Sequence, residues 1–216
     1  MSMTNEDLFR DLLPFVSDKL AKKFSESTEI GVVSKLNIRS VTLGTSLMLK
    51  PNKTEERRLK DMEGFFHDKE AFNKADKEKS VYRICYFNFD GLSCAITVMS
   101  SGKIGNEYFL TKGHFHRPLE MSEIYIFLSG QGVSILQRKD KEKPVLIAPL
   151  TRGTVAYAPP FYAHRTVNIG NDDLCWISIF DTKARLDYEP ILKEGFKVLV
   201  VEEDGKATYV ANKSHI

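Results

Sequence analysis

The spacing of apolar residues changes period partway along this chain, and that change divides it. Leu8, Phe9, Leu12, Leu13, Phe15, Val16, Leu20 and Phe24 recur at helical intervals, with Asp7, Arg10, Asp11, Asp18, Lys19, Lys22 and Lys23 between them. The spacing predicts an amphipathic helix or helix pair, kinked or restarted at Pro14. Both charge signs share the polar face, so a core-facing helix is expected rather than one lying on a membrane. Residues 30–33 and 38–49 read as short strands, residues 52–58 as polar loop, and residues 69–79 as a charge-dense short helix or turn.

From residue 81 onward the period shortens. Runs at 81–89, 93–99, 107–110, 122–128, 133–137, 145–148, 154–158, 165–169 and 174–180 have strand length and are rich in Val, Ile, Tyr, Phe and Thr. Turn signals separate them: Asp90-Gly91, Ser101-Gly102, Ser129-Gly130-Gln131-Gly132 and Gly170-Asn171-Asp172. Residues 197–202 and 207–210, joined through Asp204-Gly205, predict a closing hairpin. Many short strands with no helices between them indicate an antiparallel sandwich or barrel. The expected organisation is an N-terminal helical extension over residues 1–50 and an all-β barrel over 51–216.

Composition narrows the function classes. The chain is 42% hydrophobic and 28% charged, which is ordinary globular usage and excludes disorder throughout. With 31 Lys plus Arg against 29 Asp plus Glu, it lacks the field of an obligate nucleic-acid binder. No apolar window reaches the length of a membrane span, and acids near the start replace the basic region of a secretory signal. Cys85, Cys94 and Cys175 are scattered and odd in number. They are expected as small buried residues in a reducing, cytoplasmic compartment.

Candidate chemistry lies with the histidines. Three of the five, His114, His116 and His164, fall in the barrel segment. On a strand, His114 and His116 at i and i+2 point to one face. Glu123 follows on the next strand, with Tyr125 and Phe127 along its face and Ile124, Ile126 and Leu128 on the other. His164 arrives on a later strand, after Pro159-Pro160. Three imidazoles and one carboxylate inside a small barrel form a mixed N/O set suited to one divalent ion, Fe²⁺, Mn²⁺, Ni²⁺ or Zn²⁺. Four protein ligands on an octahedral ion leave two neighbouring positions for substrate oxygens.

His114-x-His116, Glu123 and Gly130, then Gly153, Pro159, His164 and Asn168, resemble in order and spacing the two motifs of the cupin superfamily. Longer strings narrow the resemblance. Thr111-Lys112-Gly113-His114-Phe115-His116, Glu123-Ile124-Tyr125 and the run from Ala158 to Gly170 (APPFYAHRTVNIG) are similar to the cupin-type phosphoglucose isomerases known chiefly from archaea. Arg57 to Phe66, Gly102 to Glu107 and Glu194-Gly195-Phe196 are similar to further blocks of that family, so the likeness covers about residues 55 to 205.

The resemblance implies a single cupin, jelly-roll-like β-barrel, paired as a homodimer. It implies interconversion of glucose 6-phosphate and fructose 6-phosphate, a step of glycolysis and gluconeogenesis, with Fe²⁺ first among the candidate ions. Matching positions put the metal ligands at His114, His116, Glu123 and His164, the catalytic carboxylate at Glu123, and the phosphate and sugar contacts at Tyr82, Thr97, Thr111, Gly113, Tyr125 and Tyr188. The hydrogen would move between C1 and C2 either as a proton through Glu123 or as a hydride. Two positions depart from the family, Phe180 and Leu186 standing where a tyrosine and a histidine are expected. Phe161 occupies the superfamily's glycine position before the second-motif histidine, where the isomerase branch also carries an aromatic. The expected partner is a sugar phosphate, with neither nucleic acid nor membrane. Two other readings use the same site: a cupin dioxygenase, and a non-enzymatic sugar-sensing or storage cupin.

Overall fold

A computed structural model describes residues 41–42, 48–140 and 143–212, with side chains from residue 50 onward. The helix expected over residues 7–24 and the strand expected at 30–33 lie outside the described residues. The chain divides into two compact units, residues 1–53 and 54–216. Of the first, a short antiparallel pair is described, β1 (Val41–Thr42) with β2 (Met48–Leu49).

The regular structure of the second unit is mostly strand. It runs β3 (Lys53–Arg58), a 3₁₀ turn (Leu59–Met62), α1 (Lys69–Lys74), β4 (Ser80–Asn88), β5 (Leu92–Met99), β6 (Lys103–Ile104) and β7 (Glu107–Tyr108). Then come β8 (Phe115–Arg117), β9 (Glu123–Ser129), β10 (Gln131–Arg138), β11 (Leu146–Thr151), β12 (Val155–Ala158), β13 (Tyr162–Asn168), β14 (Leu174–Asp181) and β15 (Arg185–Asp187). α2 (Glu189–Glu194), β16 (Val198–Glu203) and β17 (Lys206–Ala211) close it. One wall is a six-stranded sheet in the order β12-β9-β14-β5-β4-β3, and β11-β10-β13, β15-β8 and β17-β16-β7-β6 form three smaller sheets. This is the all-β architecture of antiparallel strands expected from the alternation of the sequence.

Alternation decides which side chains enter the barrel. On β5, Ser93, Ala95, Thr97 and Met99 are buried along one face, and on β14 Trp176 and Ser178 share the inward side with Phe180. Phe109, Phe127, Leu150, Trp176 and Phe196 belong to the apolar core, whose burial is the main stabilising term. α1 starts where Asp68 accepts a hydrogen bond from the Ala71 amide at 2.8 Å.

Three readings of the sequence need correction. Residues 52–58 are not loop, because Lys53–Arg58 is the edge strand β3. An edge strand is held by its backbone ladder and needs no apolar face. Its side chains instead make ion pairs, Arg58 with Glu56 (3.0 Å) and Glu78 (2.6 Å), and Arg83 with Glu56 (3.4 Å). Gln131 and Gly132, read as turn, begin β10. Cys94 is half-buried rather than buried like Cys85 and Cys175, since alternation on β5 turns it outward.

Gly130 shows how tightly one turn is specified. Its φ of 83° lies in the left-handed region, and a Cβ there would stand 2.6 Å from the Asp173 carbonyl oxygen and 2.7 Å from Leu174 Cα. Both neighbours are backbone, so neither can rotate away. Gly130→Ala is expected to lower the unfolding free energy by roughly 2–4 kcal/mol, combining left-handed strain with overpacking. Chemical denaturation monitored through Trp176 measures this, and an unchanged midpoint would refute the account of the turn.

Candidate active site

The two histidine motifs meet through their backbones. His114 N donates to His164 O at 3.3 Å and His164 N to His114 O at 3.1 Å, the reciprocal pair of an antiparallel bridge. The same zipper continues upstream: Thr111 N donates to Thr166 O (2.9 Å), Thr166 N to Thr111 Oγ1 (3.1 Å), and Asn168 N to Phe109 O (2.9 Å). Asn168 pins the far end, its amide nitrogen donating to Met99 O and Asp172 O while its oxygen accepts from Gly170 N. Gly113 keeps the approach close. Its φ is 70°, and a Cβ would meet Phe196 Cε2 at 2.5 Å and His164 O at 3.1 Å.

Four side chains converge inside. His114, His116 and His164 face Glu123, which comes from the six-stranded sheet, and one ligand atom from each lies within 4.8 Å of the others. The ring of His114 is 4.4 Å from that of His164 and 5.3 Å from that of His116, centroid to centroid. His116 Nε2 is 3.2 Å from Glu123 Oε2, and His164 Nε2 approaches the same oxygen at 3.3 Å. His116, His164 and Glu123 are buried and His114 is half-buried.

These polar atoms are poorly served by one another. His114 Nε2, both ring nitrogens of His164 and His116 Nδ1 are buried without a hydrogen-bond partner. Orphaned buried nitrogens normally cost stability, and this many around one carboxylate fit a ligand set built for a cation. Burial pushes the His114 imidazole well below its ordinary pKa, with His164 adding to the effect, so it stays neutral and keeps its lone pair. Burial would raise the Glu123 carboxyl, but the facing imidazoles of His116 and His164 outweigh it and hold the group below the usual carboxylate range. Neutral imidazoles and an ionised carboxylate are the states that ligate metal. The four residues therefore fit one divalent ion.

A cavity of about 630 Å³, its open mouth included, lies against this cluster. Tyr82, Thr97, Thr111, Gly113, Tyr125 and Tyr188, the six positions expected to touch substrate, all line it, together with His114, Glu123 and His164. Tyr188 immediately precedes α2, and its ring lies 5.6 Å from that of His114. Burial pushes the Tyr82, Tyr125 and Tyr188 hydroxyls above their ordinary pKa, so they remain donors. Phe180 and Leu186 also line the cavity, in register with Glu123 and His116 on neighbouring strands. Sequence reasoning did not single out Lys112, Tyr86, Thr166 or Ser178. Inward alternation alone would have found Ser178 beside Phe180. Phe161 has a φ of 69°, which accounts for the glycine preference at that position.

Comparison with known proteins places this geometry in a family. The family model described as glucose-6-phosphate isomerase matches residues 45–216. The glucose-6-phosphate isomerase of Thermococcus kodakarensis is 42% identical over 161 residues, covering 72% of this chain and 84% of that protein. That of Pyrococcus furiosus is 41% identical over 167 residues, covering 74% and 87%. The putative glucose-6-phosphate isomerase 1 of Rhizobium meliloti is 31% identical over 173 residues, covering 77% and 80%. With four-fifths of its length inside the family model and its ligand set on the barrel strands, the chain belongs to the glucose-6-phosphate isomerase family.

Proposed function

We propose that this chain is a metal-dependent aldose–ketose isomerase that interconverts glucose 6-phosphate and fructose 6-phosphate. The observation that carries the reading is the joint one: a family match over residues 45–216, and a cavity whose floor holds a three-histidine, one-glutamate group with unpartnered nitrogens. His114, His116, Glu123 and His164 would hold the ion, with Fe²⁺ proposed first on this N/O set. Bound there, a divalent ion supplies Lewis acidity toward the two adjacent oxygens of an open-chain sugar.

The remaining work falls to side chains. Tyr82, Thr97, Thr111, the Gly113 amide, Tyr125 and Tyr188 bring donors around a polar substrate without a bulky side chain at position 113. Glu123 is the single carboxylate among the cavity-lining residues, so a proton moving between C1 and C2 has this group as its carrier. The polar hydroxyls also separate this reading from a dioxygenase acting on an apolar substrate, which would leave them without partners.

A coupled assay on fructose 6-phosphate, with metal-stripped and metal-restored protein, tests the activity. His164→Ala is expected to abolish turnover and lower bound metal, because one side of the ligand shell is lost while the other three ligands stay. Phe180→Tyr adds one hydroxyl at the cavity wall and is expected to shift KM modestly, by about 1 kcal/mol in binding at most. Turnover and metal content measured together on folded His164→Ala protein decide the matter, and near-normal activity would remove His164 from the site.

The proposed assembly is a homodimer, and the proposed compartment is the cytoplasm. Among the described residues no helix is long and apolar enough to cross a membrane. The outward face of β9 and its neighbour β12 carries Ile124 (42% exposed), Val155 (66%) and Tyr157 (55%), with Tyr157 in register with Ile124 and Val155 with Ile126. A contiguous apolar stripe of this kind favours burial against a second copy. Light scattering at micromolar concentration is expected to report twice the chain mass, and a monomer would refute the dimer.

A further inference from the structure

Strand register arranges one wall of the cavity in rows. β9, β14, β5 and β4 are successive neighbours in the six-stranded sheet, and the registers across them align residue by residue. Glu123, Phe180, Ser93 and Asn88 form one row. Tyr125, Ser178, Ala95 and Tyr86 form the next, and Phe127, Trp176, Thr97 and Ile84 the one beyond. Successive rows are two residues apart, roughly 6.6 Å along the strands.

The rows differ in what they offer a ligand. In the row of Glu123, Phe180 is apolar, and Ser93 donates to Asn88 Oδ1 at 3.0 Å while neither of them lines the cavity. The middle row brings three hydroxyls to the cavity, those of Tyr86, Ser178 and Tyr125, and Ala95 between Tyr86 and Ser178 adds only a methyl. Tyr125 is already engaged, its hydroxyl hydrogen-bonding the Glu123 carboxylate. The hydroxyls of Tyr86 and Ser178 have no hydrogen-bond partner among the described residues. Ser178 is buried and Tyr86 half-buried, so neither is freely served by solvent. Burial keeps the Tyr86 hydroxyl above its ordinary pKa, hence protonated and able to donate, while Glu55, Arg57, Tyr188 and Glu123 act on it only through space.

Glu123 stands in the row before Tyr86, and Thr97, one of the positions expected to touch substrate, stands in the row after it. A substrate that reaches from one to the other passes the Tyr86 row with its middle atoms. We propose that Tyr86 is a specificity-determining residue, its hydroxyl and that of Ser178 together binding the C3 and C4 hydroxyls of the open-chain sugar. The identity of the sugar rests on the isomerase reading above. The oxygens on C1 and C2 stay beside Glu123, and the secondary hydroxyls fall one row along, past Phe180, which has no polar group to give them. A chain without those hydroxyls strands Tyr86 and Ser178 unpaired, so the site selects against it.

Trp176, the single tryptophan of the chain, lies in the adjacent row and lines the same cavity, so its fluorescence reports binding separately from turnover. The probes are fructose 6-phosphate and its 3-deoxy and 4-deoxy analogues, titrated into metal-loaded protein, with turnover of fructose 6-phosphate measured alongside. Tyr86→Phe keeps the ring and removes the hydroxyl. It is expected to weaken binding of fructose 6-phosphate about five- to tenfold and to raise KM by a similar factor, while kcat falls less. Ser178→Ala is expected to cost about threefold. The Tyr86→Phe penalty should vanish for whichever analogue lacks the matching hydroxyl, an outcome that mere loss of packing would not give. Metal content equal to that of the wild type is expected in both variants. Unchanged binding in Tyr86→Phe, or a penalty of the same size with both analogues, overturns the inference and, where turnover persists, spares the isomerase reading. Binding that depends on Tyr86 in a protein that does not isomerise fructose 6-phosphate upholds the contact and overturns that reading instead. Wild-type protein that neither binds nor turns over fructose 6-phosphate removes both.

Discussion

The backbone bridge between His114 and His164 is the contact on which the site depends. Each residue donates to the other's carbonyl, so two segments far apart in sequence are locked in register before any side chain is considered. Register matters because strand side chains alternate, and a slip of one residue would turn His164 out of the barrel and Arg165 in. The neighbouring bonds from Thr111 to Thr166 and from Phe109 to Asn168 repeat that register and make it hard to shift. Gly113 permits the close approach, since any Cβ would strike Phe196.

Holding the ligands this way costs stability. Four buried nitrogens without partners and a carboxylate approached by two imidazoles through one oxygen are poor packing in the absence of an ion. The surrounding apolar core of Phe127, Trp176 and Val133 offsets this loss and keeps the barrel closed around it. A bound divalent ion would reverse that penalty, because the same atoms would become its ligands. A divalent ion bound at this one cluster would therefore couple metal binding to folding.

How much of this the sequence showed varies with the kind of interaction. The barrel strands were legible wherever burial on one face forces alternation, as along Glu123, Tyr125 and Phe127. The ligand types were legible because few residues bind metal, and the i, i+2 spacing of His114 and His116 has a direct meaning on a strand. β3 was not legible, since an edge strand stabilised by Glu–Arg pairs carries no apolar signature. Nor was the contact of Lys112 with Arg165, Phe65 and Tyr188, which joins one strand residue to three residues outside the helices and strands through long-range packing. A lysine flanked by Thr111 and Gly113 reads as solvated loop until the fold places it in a cavity wall.

The charges of the cavity follow from that placement. Glu123 is drawn into the histidine cluster and held ionised, so its negative charge faces the imidazoles of His116 and His164. Lys112 lies outside that cluster with Arg57 nearby, which leaves the other side of the cavity positive. A ligand that is anionic at one end and rich in neutral oxygens at the other satisfies both sides at once. A neutral sugar would leave Lys112 unpaired, and an apolar ligand would strand the hydroxyls as well. A hexose phosphate matches this distribution, and the match comes from the placement of one ammonium relative to the three-histidine, one-glutamate cluster rather than from either alone.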